Sequence, residues 1–183
     1  MSNTLFTSDT HFFHKNILKF CPDTRKGEDQ FEMNEILVEM WNDKVKPGDT
    51  VYHMGDVAFG QPSAAVELLY RLNGNIILVK GNHDHKLLEH PKCRARFSKV
   101  AEYTREVVNG QSIVMFHYPI KEWDQMHRGT WHLYGHVHGK DMGLGDRKAM
   151  DVGTDSRPDM APWSFDEVKA VMDTRSIANH HGD

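Results

Sequence analysis

The apolar positions in the first half of the chain predict short strands separated by helices. Residues 4–8, 50–54 and 75–80 are brief apolar runs with the length of strands. The third run contains Ile76-Ile77-Leu78-Val79, which suits a strand buried on both faces of a sheet. Between the first two runs, the spacing of apolar residues predicts a helix over residues 33–45 with one buried face.

Two further helices are indicated by their end signals. Pro62 fits the first turn of a helix, and Asn73-Gly74 would end that helix about three turns later. Near the end of the chain, Ser164 and Glu167 have the spacing of a capping box, in which each residue satisfies a backbone N–H group of the other. This pair predicts the start of a final helix.

The second half of the chain contains strands joined by tight turns. Asn109-Gly110 separates the apolar runs 106–108 and 112–116 and predicts a hairpin, because this dipeptide accepts positive φ at both turn positions. Residues 131–134 and 148–152 are two more predicted strands. Strands and helices alternate first and hairpin strands follow, so the pattern predicts an α/β fold with two packed sheets and helices outside them.

Composition places the chain among ordinary soluble globular proteins. Its 183 residues predict a single domain spanning 1–183, with a polar tail from about residue 178. The formal net charge of −4 gives no basic face for duplex nucleic acid. We expect no membrane association, since there is neither a signal peptide nor a membrane-spanning run. Cys21 and Cys93 lie far apart, which favours free thiols in a reducing cytoplasm.

Histidine is the unusual residue, with 13 copies, and several of them belong to five short polar clusters. Each cluster directly follows a predicted strand. The clusters are Asp9-Thr10-His11, Gly55-Asp56, Gly81-Asn82-His83-Asp84, His117 and Gly135-His136-Val137-His138. Carboxylate, amide and imidazole groups without thiols predict a site for one or two transition-metal ions and for activation of water.

Spacing within the clusters refines this prediction. Asp9 and His11 are two residues apart, so both side chains can point to one side of an extended loop, and the same holds for His136 and His138. Asp56 could bridge two ions with its two oxygens. Glycine before Asp56, Asn82 and His136 removes bulk where the backbone turns beneath a crowded site. His83 follows a ligand directly and is expected to point toward substrate.

Each cluster alone has a simpler explanation. Gly-Asp is a common turn, and His117 on its own would be read as a buried core histidine. The prediction depends on all five clusters occurring in one order at strand ends.

The five clusters resemble the signature of the calcineurin-like metallophosphoesterase superfamily: Asp-x-His, Gly-Asp, Gly-Asn-His-[Asp/Glu], a lone His and Gly-His-x-His. The resemblance extends from Phe6 to His138. Segments 7–17, 55–60 and 117–119 are similar to small single-domain phosphoesterases of bacteria and phages. The resemblance implies a four-layer α/β/β/α sandwich of two mixed sheets flanked by helices.

The resemblance also implies a dinuclear metal centre in a phosphoester hydrolase. Manganese is the expected metal, and iron, nickel, cobalt or zinc would suit the same donors. A hydroxide bridging the ions would attack phosphorus without a covalent enzyme intermediate. One ion would be held by Asp9, His11, Asp56 and His138, and the other by Asp56, Asn82, His117 and His136.

His83 and Asp84 are the predicted catalytic residues. His83 would stabilise the phosphoryl oxygens or protonate the leaving group. Many superfamily members carry Asp or His three residues after the bridging Asp, where it can orient the catalytic His, but this chain has Phe59. Therefore Asp84 or another group orients His83, or packing alone holds its ring.

Substrate contacts are predicted from residues near the clusters. His14, Asn16 and Arg25 could contact a phosphate or a base, although each could equally belong to a solvated loop. The aromatic residues Tyr118, Trp123 and Trp131 could stack on a nucleobase or fill the core. Since the chain is too short for a cap domain, the open site favours a phosphodiesterase acting on a small nucleotide or another diester. The alternatives are a phosphomonoesterase or nucleotidase, and a non-catalytic metal-binding interaction scaffold.

Overall fold

A computed structural model describes residues 2–178, which form two β-sheets packed face to face with helices around them. The mixed α/β fold predicted from the sequence is confirmed. The predicted polar tail lies almost entirely outside the described residues. Within residues 2–178, no helix is both long and apolar enough to cross a membrane.

The first sheet contains the strands that the early apolar runs predicted. Four strands are parallel, β1 (Thr4–Thr7), β2 (Thr50–His53), β3 (Asn75–Val79) and β4 (Phe97–Ala101). The short β9 (Trp163–Ser164) pairs antiparallel with β1 and gives the order β4-β3-β2-β1-β9. Since the four parallel strands run the same way, the loops after β1, β2 and β3 leave the sheet at one edge.

The second sheet begins with the predicted hairpin. Its strands are β5 (Tyr103–Val108), β6 (Gln111–Phe116), β7 (Trp131–Tyr134) and β8 (Ala149–Asp151). The hairpin pair β5 and β6 is antiparallel, and β6, β7 and β8 are mutually parallel in the order β5-β6-β7-β8. The loops after β6 and β7 therefore also leave at one edge.

Helices cover the outer face of the first sheet. They are α1 (Ile17–Phe20), α2 (Gln30–Lys44), α3 (Pro62–Arg71), α4 (His85–Glu89) and α5 (Pro91–Arg96). The first long helix begins earlier than predicted because the Asp29 side chain accepts hydrogen bonds from the N–H groups of Phe31 and Glu32. The final helix, α6 (Phe165–Asp173), begins with the predicted capping box of Ser164 and Glu167.

Side chains alternate between two cores along each central strand. In β3, Ile76 and Leu78 pack against the helices, whereas Ile77 and Val79 face the second sheet. The inter-sheet core also receives Val168 and Met172 from α6. Loops 117–130 and 135–148, which include the 3-10 turn Met126–Arg128, cover the outer face of the second sheet, so this fourth layer consists mainly of loops.

Candidate metal centre

The five polar clusters meet where the two sheets adjoin. Asp9, Asp56 and Asn82 follow β1, β2 and β3 of the first sheet, whereas His117 and His136 follow β6 and β7 of the second. His11 lies two residues beyond Asp9, and His138 lies two residues beyond His136. The structure therefore brings all seven predicted ligands to one place.

Asp56 occupies the middle of this group. Its Oδ2 atom lies 3.7 Å from Nε2 of His11 and 3.6 Å from Nε2 of His117. Its other oxygen, Oδ1, accepts a hydrogen bond of 2.9 Å from the backbone N–H of His83. The sequence suggested a bridge through both oxygens, but here one oxygen faces both histidines while the other holds the backbone.

Two groups of donors lie next to each other, and Asp56 belongs to the second. Asp9, His11 and His138 form one, and Asp56, His117 and His136 form the other, with the ligand atoms of each group within 4.8 Å of one another. Asn82 joins the second group, since its Oδ1 lies 3.0 Å from Nε2 of His117. Each group has the mixed oxygen and imidazole composition that divalent transition metals accept.

Several of these atoms lack any partner within residues 2–178. Oδ1 of Asp9 and Nε2 of His11 are buried, lie 3.5 Å apart and have no hydrogen bond. Buried polar atoms are normally hydrogen-bonded, so an unpaired pair of electron donors indicates a place for a cation. The residues present fit a divalent metal ion.

His117 gives a second sign of the same kind. Its Nδ1 lies 2.7 Å from the carbonyl oxygen of Met54, so Nδ1 donates to that oxygen. The other ring nitrogen, Nε2, lies 3.0 Å from Oδ1 of Asn82. When Nδ1 carries the only ring proton, Nε2 and Oδ1 are both acceptors, and two facing acceptors can be bridged by a cation.

The protonation of Asp9, His11 and His136 also suits metal binding. Burial opposes ionisation of Asp9, but the nearby imidazoles of His11, His117 and His138 outweigh burial and lower the pKa of Asp9 to about 2. Burial lowers the pKa of His11 and also that of His136. At neutral pH Asp9 is therefore ionised and His11 and His136 are uncharged, which are the ligating forms of these groups. His138 differs: burial opposes its protonation, but the hydrogen bond and negative charge of Asp155 outweigh burial and raise its pKa.

The backbone of the ligand loops is strained. Asp9, His11, Asp56, His136 and His138 all have φ between 50° and 71°, a region that non-glycine residues rarely adopt. Neighbouring glycines make room for the tight turns, since a Cβ atom on Gly81 would lie 2.3 Å from Oδ1 of Asp56. Strain concentrated at one set of loops is typical of a functional site.

Asp155, which was not among the residues predicted from the sequence, holds His138. Its Oδ2 accepts a hydrogen bond of 2.7 Å from Nδ1 of His138, which leaves Nε2 of the ring free. Asp155 follows a predicted strand by three residues, the same signal that identified the other clusters. Metal-binding histidines are commonly oriented by such a carboxylate.

Arg25 was predicted to contact substrate, but the structure places it in the protein interior. Its guanidinium group forms a buried ion pair with Asp155 and donates to the backbone carbonyl oxygens of Asp9 and Thr10. With its side chain fully buried and its donors occupied, Arg25 supports the loop of Asp9 instead of presenting a charge to solvent.

His83 and Asp84 have different surroundings. Asp84 is buried, and its carboxylate accepts hydrogen bonds from the backbone N–H groups of Asp56, Val57 and Gly81. It therefore fixes two ligand loops and does not orient the His83 ring. The His83 ring is exposed and lies 4.6 Å, between ring centres, from Phe59. Phe59 is thus the side chain at the third position after Asp56 that contacts the His83 ring.

The remaining predicted contacts divide between the site and the core. His14 stacks on Phe59 with ring centres 4.1 Å apart, and Asn16 is exposed at the start of α1. Tyr118 borders the centre and donates to Oδ1 of Asn82 at 3.3 Å. The two tryptophans cannot stack on a base, because Trp123 and Trp131 are buried in the cores on either side of the second sheet.

Two clefts reach the centre from different sides. The Lys86 cleft has a volume of about 470 Å³, and its lining includes Phe59, Gln61, Asn82, His83, His85 and Lys86. The Lys140 cleft has a volume of about 350 Å³ and is lined by Phe20, Cys21, Asp23, Thr24, His138 and Lys140. Cys21 is a free thiol there, and burial raises its pKa to about 11, so the thiol is neutral.

Comparison with known proteins identifies the family. Residues 2–136 match the family model described as calcineurin-like phosphoesterase. The chain belongs to this family. It is accordingly a metal-dependent phosphoester hydrolase, and the superfamily predicted from the five clusters is confirmed.

Relatives occur in an archaeon and in phages. An uncharacterised protein of Methanocaldococcus jannaschii, MJ1445, is 36% identical over 140 residues, which cover 75% of this chain and 70% of that protein. The gene 66 protein of Mycobacterium phage D29 is 26% identical over 199 residues, covering 94% of this chain and 96% of the phage protein.

Solved structures share the fold. A protein of unknown function from Aquifex aeolicus, AQ665, superposes with a TM-score of 0.73 at 23% identity, covering 93% of this chain and 100% of its own. A structure described as a novel archaeal phosphodiesterase has a TM-score of 0.50 at 20% identity, covering 82% of this chain and 83% of its own. Both similarities show that these proteins share the fold of this chain.

Proposed function

We propose that this phosphoesterase is a dinuclear, metal-dependent phosphodiesterase acting on a small nucleotide or another diester that enters an open site. The observation that carries the proposal is the pair of clefts. The Lys86 cleft reaches the centre at Asn82 and His83, and the Lys140 cleft reaches it at His138. A phosphodiester has two substituents and can place one in each cleft, whereas a monoester fills only one.

The proposed ligand sets follow the two donor groups. Asp9, His11 and His138 would hold one ion, and Asn82, His117 and His136 the other. Asp56 would serve both through Oδ2, which lies at similar distances from His11 and His117. We expect manganese, although iron, nickel, cobalt and zinc suit the same donors.

Metal ions bound here would supply an activated water and neutralise charge on the phosphoryl group. The protein itself holds the ligating side chains in position. Asp84 and the glycine turns fix the loops of Asp56 and Asn82, while Asp155 fixes the ring of His138. His83 is exposed beside the centre, so we assign it to the substrate: it would donate to a phosphoryl oxygen or to the leaving oxygen.

The proposal also includes expectations about binding partners and cellular location. We expect no binding to duplex nucleic acid, given the net charge of −4. A cytoplasmic location stays a prediction from the two free thiols, Cys21 and Cys93.

The first test is hydrolysis of bis(p-nitrophenyl) phosphate and of p-nitrophenyl phosphate. Metal-stripped protein would be assayed with Mn²⁺, Ni²⁺, Zn²⁺ or Mg²⁺ added back. We expect metal-dependent turnover that favours the diester. Turnover of the monoester alone would establish a phosphomonoesterase or nucleotidase instead, and two bound metals without turnover of either ester would favour the interaction scaffold.

Two variants test the assigned roles. His83→Ala should keep its bound metal and lose most turnover, because the ring is placed toward substrate and outside both donor groups. Asp56→Asn should lose both ions by elemental analysis, since the shared oxygen of the carboxylate loses its charge. Full activity of the first variant, or two ions retained by the second, would contradict these roles.

A further inference from the structure

We propose that the Lys86 cleft binds a second anionic group of the substrate, so that the preferred diester carries another phosphate beside the one that is hydrolysed. This inference rests on the proposed phosphodiesterase function and narrows its substrate class. It depends on the charge, exposure and position of the cleft residues.

The cleft is free of acidic side chains. Within the described part of the chain its lining consists of apolar residues, glycine, amides, His83, His85 and Lys86, and contains no carboxylate. The whole chain carries 26 acidic and 22 basic residues, so an acid-free cleft with a lysine and two histidines is unusual on this surface. Asp84 lies between the two histidines in sequence, but it is buried and bonded to backbone N–H groups.

The basic groups of the cleft are available to a ligand. Lys86 is exposed, and its side chain forms no hydrogen bond or ion pair with any residue between 2 and 178. The neighbouring Lys80, by contrast, is paired with Glu102 at 2.5 Å. Glu102 is the acid near His85, and this ion pair already occupies it.

The cleft is also continuous with the metal centre. Asn82 lines the cleft and lies 3.0 Å from Nε2 of His117, and the assigned catalytic residue His83 lines it as well. A phosphate held near Lys86 would thus belong to the same molecule as the phosphate undergoing hydrolysis. The Lys140 cleft differs because Asp23 accompanies Lys140 there, so it suits an uncharged substituent.

The experiment compares two chromogenic diesters that differ by one phosphate: thymidine 5′-(p-nitrophenyl phosphate) with and without a 3′-phosphate. Release of nitrophenolate reports cleavage of the diester in both. We expect the metal-loaded wild type to show a kcat/KM about fivefold higher for the phosphorylated ester, the size of one solvent-exposed charge contact. This preference should weaken as ionic strength rises.

Variants assign the preference to one side chain. Lys86→Gln should lose the preference and Lys86→Arg should keep it. Lys92→Gln is the matched control, because Lys92 is an exposed lysine of α5 outside the cleft, and it should behave as wild type.

The outcomes separate this inference from the function on which it rests. Equal cleavage of the two esters by the wild type, or a preference that survives in Lys86→Gln, would overturn the inference alone. Failure to cleave either ester or bis(p-nitrophenyl) phosphate would refute the phosphodiesterase function, and the inference with it.

Discussion

Oδ2 of Asp155 accepts a 2.7 Å hydrogen bond from Nδ1 of His138, and the same carboxylate is paired with the buried guanidinium of Arg25. Thr24 donates to its other oxygen at 2.5 Å. Because Arg25 also donates to the carbonyl oxygens of Asp9 and Thr10, a single buried ion pair connects two ligand loops from different sheets. This connection fixes the first donor group before any ion arrives.

Loss of the Asp155 charge should therefore weaken metal binding. We expect Asp155→Asn to lower the affinity for the ion at His138 by about 10- to 100-fold, the usual effect of removing the group that orients a ligand. Competition with a chromogenic chelator measures this affinity directly. Asp166→Asn, an exposed aspartate of α6, is the control, and equal affinities in the two variants would contradict the role.

Asp84 should matter for stability even without metal. Its carboxylate accepts three backbone N–H groups, whereas an asparagine would direct its own NH₂ group at some of these donors. We expect Asp84→Asn to lower the free energy of unfolding of the metal-free protein by about 1–3 kcal/mol. Urea denaturation measures it. Unchanged stability together with lost turnover would restore the catalytic role predicted from the sequence.

Gly81 should not tolerate a side chain. A Cβ atom there would lie 2.3 Å from Oδ1 and 2.6 Å from the backbone nitrogen of Asp56, so Asp56 must move. We expect Gly81→Ala to lose metal binding and about 2 kcal/mol or more of stability. In Gly48→Ala, by contrast, the added Cβ meets no atom within 4 Å. That control should bind metal normally, and calorimetric titration of both variants provides the comparison.

Glu167 should make the free energy of unfolding depend on pH. Burial opposes its ionisation, but hydrogen bonds from Lys44 and Arg157 outweigh burial and lower its pKa from 4.5 to about 2. Because the pKa is depressed in the folded state, this stabilisation is complete above pH 4.5 and disappears as the pH falls toward 2. The half-exposed side chain limits the ion-pair contribution to about 1 kcal/mol.

Glu167→Gln isolates this charge, since glutamine can keep the capping-box hydrogen bond. The difference in free energy of unfolding from wild type should be present at pH 7 and shrink below pH 4.5. Denaturant titrations at several pH values would show it, with Glu89→Gln, an exposed glutamate of α4, as the control. A difference that does not vary with pH would contradict the assignment.

The sequence predicted the parts of the fold that have local signals. Asn109-Gly110 and the Ser164–Glu167 pair specify their turn and helix cap without help from the rest of the chain. Strand β4 was missed because Phe97–Ala101 is mostly polar or exposed and is stabilised by pairing with β3. Strand β9 has only two residues and exists through its contact with β1.

The same distinction applies to the site. The seven predicted ligands follow apolar strands directly, so local pattern and family resemblance were sufficient to find them. The roles of Arg25 and Asp155 depend on a contact between residues 130 positions apart, which no local pattern encodes. Burial of Trp131 between the sheets likewise results from the packing of the second sheet against the first.

The position of the donor groups across two sheets has a consequence for the cohesion of the molecule. An ion bound by Asp9, His11 and His138 would join the loop after β1 in the first sheet to the loop after β7 in the second. The free energy of metal binding at such a site adds to the free energy of unfolding, so the ions would hold the two sheets together. Chelation should therefore do more than remove the ions that hydrolysis needs: it should also loosen the contact between the two sheets and raise the rates of proteolysis and hydrogen exchange there.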